Sequence, residues 1–578
     1  MMHRKTKENQ NTGHRIVAVG FLLITIWIIA RLFILQIIKH DYYVTMATKS
    51  HETTKQITPE RGNIYFTDAR THETFPAAIN KTYYLIFATP KTIPASEVVS
   101  TTNKLSEILG FDENAKSELL NKLSDLNSSY KIIAKKVPEN LTKKIQLLKI
   151  NSIGAEEQTY RYYPEDYLAA NVLGFVSRND LGDLEGKYGI EGFYNKKLTG
   201  RVGYLEGEKG AGGGWIALAE RTNIKPEDGS DLYLTIDRAV QKYACDRLRE
   251  GMKEYKAKSA SLVLLDPNTG AVLAMCSLPD FDPNNFSEVD NLAAFNNTTV
   301  FSPYEPGSVF KAFTMGAGLD LGLVTPNTTF VDACELTIDG HKVRNAEHKC
   351  YGRQTMTQVL ENSINTGVVW VEEKVGGKRF YEYIKKFGFG EKTGISLSQE
   401  MSGDISSLTK KGDIYGANGS FGQGLTATPL QIATGFAAIA NGGKLMRPFI
   451  IAEERTGKGQ IIKTSPEVVE ISISESASAL LRGMLVSVVD NHYRSAQISN
   501  YYVAGKTGTA QIPEKGKYSE ERTNHTFAGF APATKPAFTL VVKYEEPERK
   551  WAEQTSLPIF RDVLKFVLEY YGIPGDKK

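Results

Sequence analysis

The longest hydrophobic run lies near the N-terminus, where Ile16 to Ile38 reads IVAVGFLLITIWIIARLFILQII, 23 residues with Arg31 as the one charge. As a helix rising 1.5 Å per residue it would span roughly 34 Å, enough to cross the ~30 Å core of a bilayer. The tail of residues 1–15 carries Arg4, Lys5, Lys7 and Arg15 against Glu8. The positive-inside bias therefore predicts a cytoplasmic N-terminus, one span, and an extracytoplasmic chain after His40. The run exceeds the apolar core of a cleaved signal, and no small-x-small site follows it, so an uncleaved anchor is expected. Arg31 and Gln36 interrupt the outer third of the span, either reaching the headgroups or facing another membrane protein.

Past the anchor the periodicity becomes mixed. Glu60 to Tyr65 reads as extended, and Ala95–Leu109 and Asn114–Leu126 repeat apolar residues at three- and four-residue spacing, as helices do. The glycine run from Gly207 to Gly214, between strand-like segments and without Gly-Lys-Ser/Thr, reads as a hairpin tip rather than a phosphate cradle. A turn cluster at Lys225–Ser230 marks a boundary. After it come a strand at Asp231–Ile236, a helix capped by Asp237 and running to about Tyr255, and an apolar hairpin of Ser261–Leu265 and Ala271–Cys276. A long, mostly helical stretch reaches about Gly443. Strands return at Val503–Gln511, Thr526–Phe530 and Phe538–Lys543, followed by an amphipathic helix at Leu557–Tyr570. If the early hairpin and the late strands share one sheet, the helical block must pack beside it as a lobe, with a cleft at the junction.

The predicted organisation is a tail (1–15), a span (16–38), a mixed α/β region (45–229) and a larger α+β domain (230–575), the last an antiparallel sheet flanked by helices plus an all-helical lobe. Composition narrows the function. With 41% hydrophobic and 23% charged residues the chain is an ordinary globular one. A net charge of +3 from 69 basic and 66 acidic residues argues against nucleic acid as a partner. Four cysteines with no Cys-x-x-Cys exclude a disulfide-built scaffold, and no metal or other cofactor is expected.

Three short motifs in the larger domain carry candidate chemistry. Ser308-Val309-Phe310-Lys311 leads into an apolar helix, where residues i and i+3 share a face, so Lys311 can lie against the Ser308 hydroxyl. A serine becomes nucleophilic when a neighbour takes its proton, and a lysine does so when burial and nearby cations lower its pKa. Ser363-Ile364-Asn365 offers a hydroxyl for proton relay and an amide to orient Lys311 or bind a substrate carbonyl. Lys506-Thr507-Gly508-Thr509 lies on a strand, its cation and hydroxyls suited to a carboxylate and its glycine leaving room for a substrate along the strand edge.

Each motif is weak alone. Together, in this order and 55 and 143 residues apart, they form the trio of the penicillin-binding proteins. YEPGSVFK, SFGQGLTATPLQIA and YYVAGKTGTAQ, with LTIDRAVQ, the anchor and the Arg-Gly segment at Arg61, make the chain resemble class B penicillin-binding proteins, especially the septal transpeptidases of cell division. The resemblance implies a serine D,D-transpeptidase that cross-links peptidoglycan stem peptides and is acylated by β-lactams. Ser308 would attack the D-Ala-D-Ala donor, Lys311 would be the base, and Ser363 and Asn365 would relay protons and position it. Lys506 and Thr507 would bind the terminal carboxylate. The Ser308 and Thr509 amides would form the oxyanion hole, and an amine would accept the acyl group. No Glu-x-x-Leu-Asn segment of the class A β-lactamase kind follows Asn365, so slow deacylation is expected; Glu372 and Glu373 nearby read as solvated. Glu165-Asp166 has no suitable histidine after it, which argues against a glycosyltransferase, so the first region reads as a pedestal and dimerisation domain. The implied partners are a polytopic SEDS-family glycan polymerase and other division proteins, met through the span and the pedestal.

Alternatives remain at this level: an elongation-type transpeptidase, a non-catalytic division scaffold, or a β-lactam sensor, which the short cytoplasmic tail disfavours. Cys334, His341, His348 and Cys350 admit a disulfide between the two cysteines, free thiols or a metal. His525 either faces the cleft or is structural.

Overall fold

The computed structural model describes residues 6–39, 52–179, 182–208, 222–514 and 517–577, which fall into two compact units. The smaller comprises Met1–Pro59 and Gly200–Asp228. Its helix Thr6–Phe33 continues as a π-helical turn, Ile34–Ile38. Ala18–Ile38 is long and apolar enough to cross a membrane, with a mean hydropathy of 2.5 and no part buried by protein. A helix that is hydrophobic all round needs lipid or protein around it. In the same unit Gly203–Glu208 pairs antiparallel with Glu52–Ile57 and with Thr222–Ile224. The glycine run expected at a hairpin tip lies, from residue 209 onward, outside the described residues.

The larger unit, Glu60–Thr199 with Gly229–Lys578, contains two main sheets. The first has seven strands: Ile461–Lys463, Ile451–Arg455, Asp231–Asp237, Ile64–Thr67, Thr74–Ala88 and Lys131–Val137 in spatial order, with Ile153–Tyr162 also on Thr74–Ala88. Asp231–Asp237 pairs parallel with Ile64–Thr67 and antiparallel with Ile451–Arg455, so the strand following the Lys225–Ser230 turns is built into a sheet with residues before them. Helices Val98–Leu109, Glu113–Ser124 and Glu139–Leu147 cover a separate small core that includes Ile86, Leu105, Leu119 and Ile145.

Beneath this sheet lies a charged knot. Glu191 is fully buried; it accepts from Arg161 Nε at 2.6 Å and from Arg61 Nε at 2.9 Å. Arg61 also donates to Asn195 Oδ1 and Thr199 Oγ1. Burial alone would raise the Glu191 carboxyl, but Arg161 and Arg61 outweigh it and hold it below the ordinary carboxylate range.

The second sheet is fully antiparallel, in the order β2-β1-β5-β4-β3, from β1 (Ser259–Leu265), β2 (Val272–Leu278), β3 (Ala504–Glu514), β4 (Lys517–Ala531) and β5 (Phe538–Glu545). The early hairpin and the late strands thus share one sheet. Helix α1 (Arg238–Glu254), capped by the Asp237 carboxylate on the Ala239 and Val240 amides, packs on it together with the C-terminal helix Ser556–Tyr570. The apolar helix Pro429–Ala440, every residue buried, packs against β1, β4 and β5 and belongs to the helical lobe. Within that lobe α2 (Lys311–Asp320) packs on α3 (Asn365–Val375) and on Glu475–Ser487, and α3 on α4 (Asp413–Ser420). The lobe is not wholly helical: Thr329–Val331 pairs with Arg353–Thr355, and Glu335–Ile338 with His341–Arg344, because the Asp339-Gly340 turn closes a ribbon. Disulfides join Cys334 to Cys350 and Cys245 on α1 to Cys276 on β2. The second pairing had no signal in the cysteine spacing.

Replacing Glu191 by Ala strands two buried guanidinium groups. A loss of about 3–5 kcal/mol is expected, read as a lower unfolding midpoint of the detergent-solubilised protein, whereas Glu113→Ala on an exposed helix start should shift it little.

Candidate active site

Ser308 sits in a 3-10 turn, Gly307–Phe310, that runs directly into α2. In a 3-10 turn residues i and i+3 eclipse, which puts Ser308 and Lys311 on one side. Gly307 has φ +61° and donates to the Gly422 carbonyl at 3.1 Å, docking the turn on the lobe. On the other side a Cβ built on Gly508 would lie 2.7 Å from the Pro306 carbonyl oxygen, so only glycine lets β3 approach the turn this closely. β3 is an edge strand, which leaves alternate backbone groups unpaired toward the cleft.

Ser308, Ser363, Asn365, Thr507 and Thr509 all line one cleft of about 800 Å³ between the sheet edge and the lobe. Sequence positions spread over two hundred residues thus converge. Lys311 and Lys506 are fully buried beneath the walls. Lys311 Nζ donates to the Ser363 hydroxyl at 3.0 Å and, more closely, to the Ser363 carbonyl. Ser363 has φ +53°, a conformation rare for non-glycine residues, which turns both its oxygens toward the amine. A neutral amine has two N–H donors and one lone pair; both donors are used on Ser363, and the lone pair is left over. Burial, then the Lys506 charge, lower the Lys311 pKa well below the ordinary lysine value. Burial lowers Lys506 to about 7, partly opposed by Glu553.

Asn365 differs from expectation. Its amide donates to the Arg344 carbonyl at 2.7 Å, so the side chain anchors the Glu335–Arg344 ribbon at the cleft wall instead of orienting Lys311. Lys506 Nζ donates to the Thr507 carbonyl at 3.3 Å and stands 5.5 Å from the centre of the Tyr493 ring, and both of those residues line the cleft. His525 is buried between Thr523 and Thr555, and burial pushes it down to about 4, which makes it a neutral structural residue. Glu373 is exposed as expected, but Glu372 is buried.

Several residues in and around the cleft carried no motif. Tyr493 is buried and accepts from Thr507 Oγ1 at 2.7 Å; burial raises its phenol pKa and keeps it protonated. It follows a π-helical turn, Val488–His492, that also puts His492 on the cleft. Asp332 holds the back of the lobe, accepting from Thr366 Oγ1, Asn345 Nδ2 and the Cys334 and Tyr351 amides. Glu305 Oε1 accepts from the Gly424 amide and the Tyr518 hydroxyl at the cleft mouth. Tyr493 lies in a polar run, Asp490 to Ser495, that gives no hint of its burial. Nothing there predicts its bond to Thr507.

Comparison with known proteins agrees with this architecture. Residues 260–565 match the penicillin binding protein transpeptidase domain, and residues 56–234 the penicillin-binding protein dimerisation domain. The chain is 31% identical over 555 residues to stage V sporulation protein D of Bacillus subtilis, covering 95% of this chain and 84% of that protein. It is 30% identical over 579 residues to the peptidoglycan D,D-transpeptidase FtsI of Escherichia coli, covering 98% and 92%. A crystal structure of penicillin binding protein 3 from Mycobacterium tuberculosis, complexed with aztreonam, superposes with a TM-score of 0.68 at 25% identity over 90% of this chain and 98% of that one. An acyl-transfer cleft with a buried amine, on a fold matched along nearly its whole length, places this chain in the penicillin-binding protein family, as a class B member with dimerisation and transpeptidase domains.

Proposed function

We propose that the protein is a membrane-anchored serine D,D-transpeptidase that cross-links peptidoglycan stem peptides at the division septum. The observation that carries this reading is the Lys311 amine, fully buried, hydrogen-bonded to both oxygens of Ser363 and without an acidic partner among the described residues. Ser308 Oγ attacks the D-Ala-D-Ala carbonyl as Lys311 takes its proton, and the Ser363 hydroxyl relays that proton to the leaving D-alanine. The Ser308 and Thr509 amides receive the oxyanion, where one donor is commonly worth about 3–4 kcal/mol of barrier. Thr507 binds the terminal carboxylate over the Lys506 charge. An amine of a neighbouring stem peptide then attacks the ester and frees Ser308. The similarity to FtsI supports the septal assignment.

In this reading the N-terminus is cytoplasmic and the catalytic domain extracytoplasmic, residues 45–229 form a pedestal and dimerisation domain, and 230–575 form the transpeptidase domain. The span and pedestal meet a SEDS-family glycan polymerase and other division proteins.

Labelling the purified protein with a fluorescent penicillin should give one stable adduct, on Ser308, and none in Ser308→Ala. An adduct on another residue, or one hydrolysed within seconds, overturns the assignment. The second-order rate of acylation should be bell-shaped in pH. It is lost on the acid side as Lys311 gains a proton, and on the alkaline side as Lys506, at about 7 in the free protein, loses one. In Lys506→Met the rate falls and the acid limb moves to higher pH, because a cation that held the Lys311 pKa down is gone. A fluorescent fusion should gather at mid-cell; a side-wall pattern would assign an elongation role.

A further inference from the structure

A second cavity, of about 860 Å³, opens in the helical lobe between α3, α4 and the tip of the Glu335–Arg344 ribbon. Its floor is unusual. Along α3, Val368, Glu372 and Val375 fall at i, i+4 and i+7, a single stripe, and both valines are fully buried. Glu372 goes inward with them and is only 5% exposed. Its carboxylate has no hydrogen-bond or ion-pair partner among the described residues, and every group acting on it disfavours the charged form: burial first, then Glu373 and Asp413, which together raise it to about 7. A Cβ built on Gly416 of α4 would stand 2.5 Å from Glu372 Oε1, so only glycine lets α4 pass this close to the carboxylate.

The other charged groups facing this space are Asp339, Glu373, Asp413, Lys378 and Lys410. Asp339 is occupied by the Ile414 amide, and Lys410 stands over the Tyr415 ring. That leaves three acids, Glu372, Glu373 and Asp413, against the cation Lys378, a net negative lining, with Tyr381 in the same wall. A buried carboxylate lacking donors is complemented by a cation that brings its own. No cluster of three or more His, Cys, Asp or Glu side chains with metal-binding geometry occurs among the described residues, which favours an organic cation. An aromatic wall adds attraction for an ammonium group and its alkyl stem.

We propose that this cavity is a binding site for a primary alkylammonium group, such as the side chain of a lysine-like residue, received by the Glu372 carboxylate with the stem along Tyr381. The site is separate from the Ser308 cleft but shares its framework: α3 begins beside Ser363, and α4 also carries Asn418 of the cleft wall.

The test is calorimetric titration of the detergent-solubilised full chain with Nα-acetyl-lysine methylamide, and with its Nε-acetylated form as the uncharged control. Saturable binding of the first and not the second is expected. Glu372→Gln should weaken it at least tenfold while the rate of acylation by fluorescent penicillin stays unchanged, which shows the fold intact. A carboxyl titrating near 7 is about a tenth ionised at pH 6 and about nine-tenths at pH 8, so binding should tighten about tenfold between them. Absence of saturable binding, equal binding of the acetylated control, or binding undiminished in Glu372→Gln overturns the proposal. So does displacement of the probe by millimolar magnesium or zinc, which would make the site a metal site.

Discussion

Among the described residues Lys311 is buried with no acidic partner, and its amine is hydrogen-bonded to the carbonyl and hydroxyl of Ser363. A lysine in that position is costly to charge, and the second buried lysine, Lys506, adds to the cost. Much of the larger unit serves this arrangement. The 3-10 turn sets Ser308 and Lys311 on one side, the left-handed backbone at Ser363 aims two oxygens at one nitrogen, and Gly508 lets the strand bearing Lys506 close on the turn. Local backbone strain at Ser363 is tolerated because it is locked between two helices of a packed lobe.

Much of the site was legible in the sequence because its chemistry is carried by short motifs whose internal spacing is local. Ser308 and Lys311 are one helical turn apart, and the Lys506 strand is flagged by its apolar flanks. What could not be read was relational. Tyr493 reaches Thr507 only through a π-helical turn, and the Cys245–Cys276 bond joins a helix to the strand beneath it across an unsignalled gap. Nor could the Asn365 bond to the Arg344 carbonyl be read, because it depends on the ribbon closed by Asp339-Gly340.

Glu372 is a different case. Two adjacent acids after a tryptophan read as a solvated face, yet the i, i+4, i+7 stripe through Val368 and Val375 already put one of the two on the inner side of the helix. Periodicity, not residue type, decided its burial, and the two signals conflict at one position. Such local disagreement between polarity and pattern is where a chain departs from what folding alone would select.

The strand Asp231–Asp237 has a practical corollary for anyone cutting this molecule into pieces. A fragment starting at residue 230 would keep the nucleophile and its amine, but would leave that strand's Ile64-facing edge bare, a row of unpaired amides and carbonyls open to pairing with a second fragment. Truncations meant to yield a soluble catalytic piece are better begun before Glu60, where the parallel neighbour is retained and self-association through a raw β-edge is avoided.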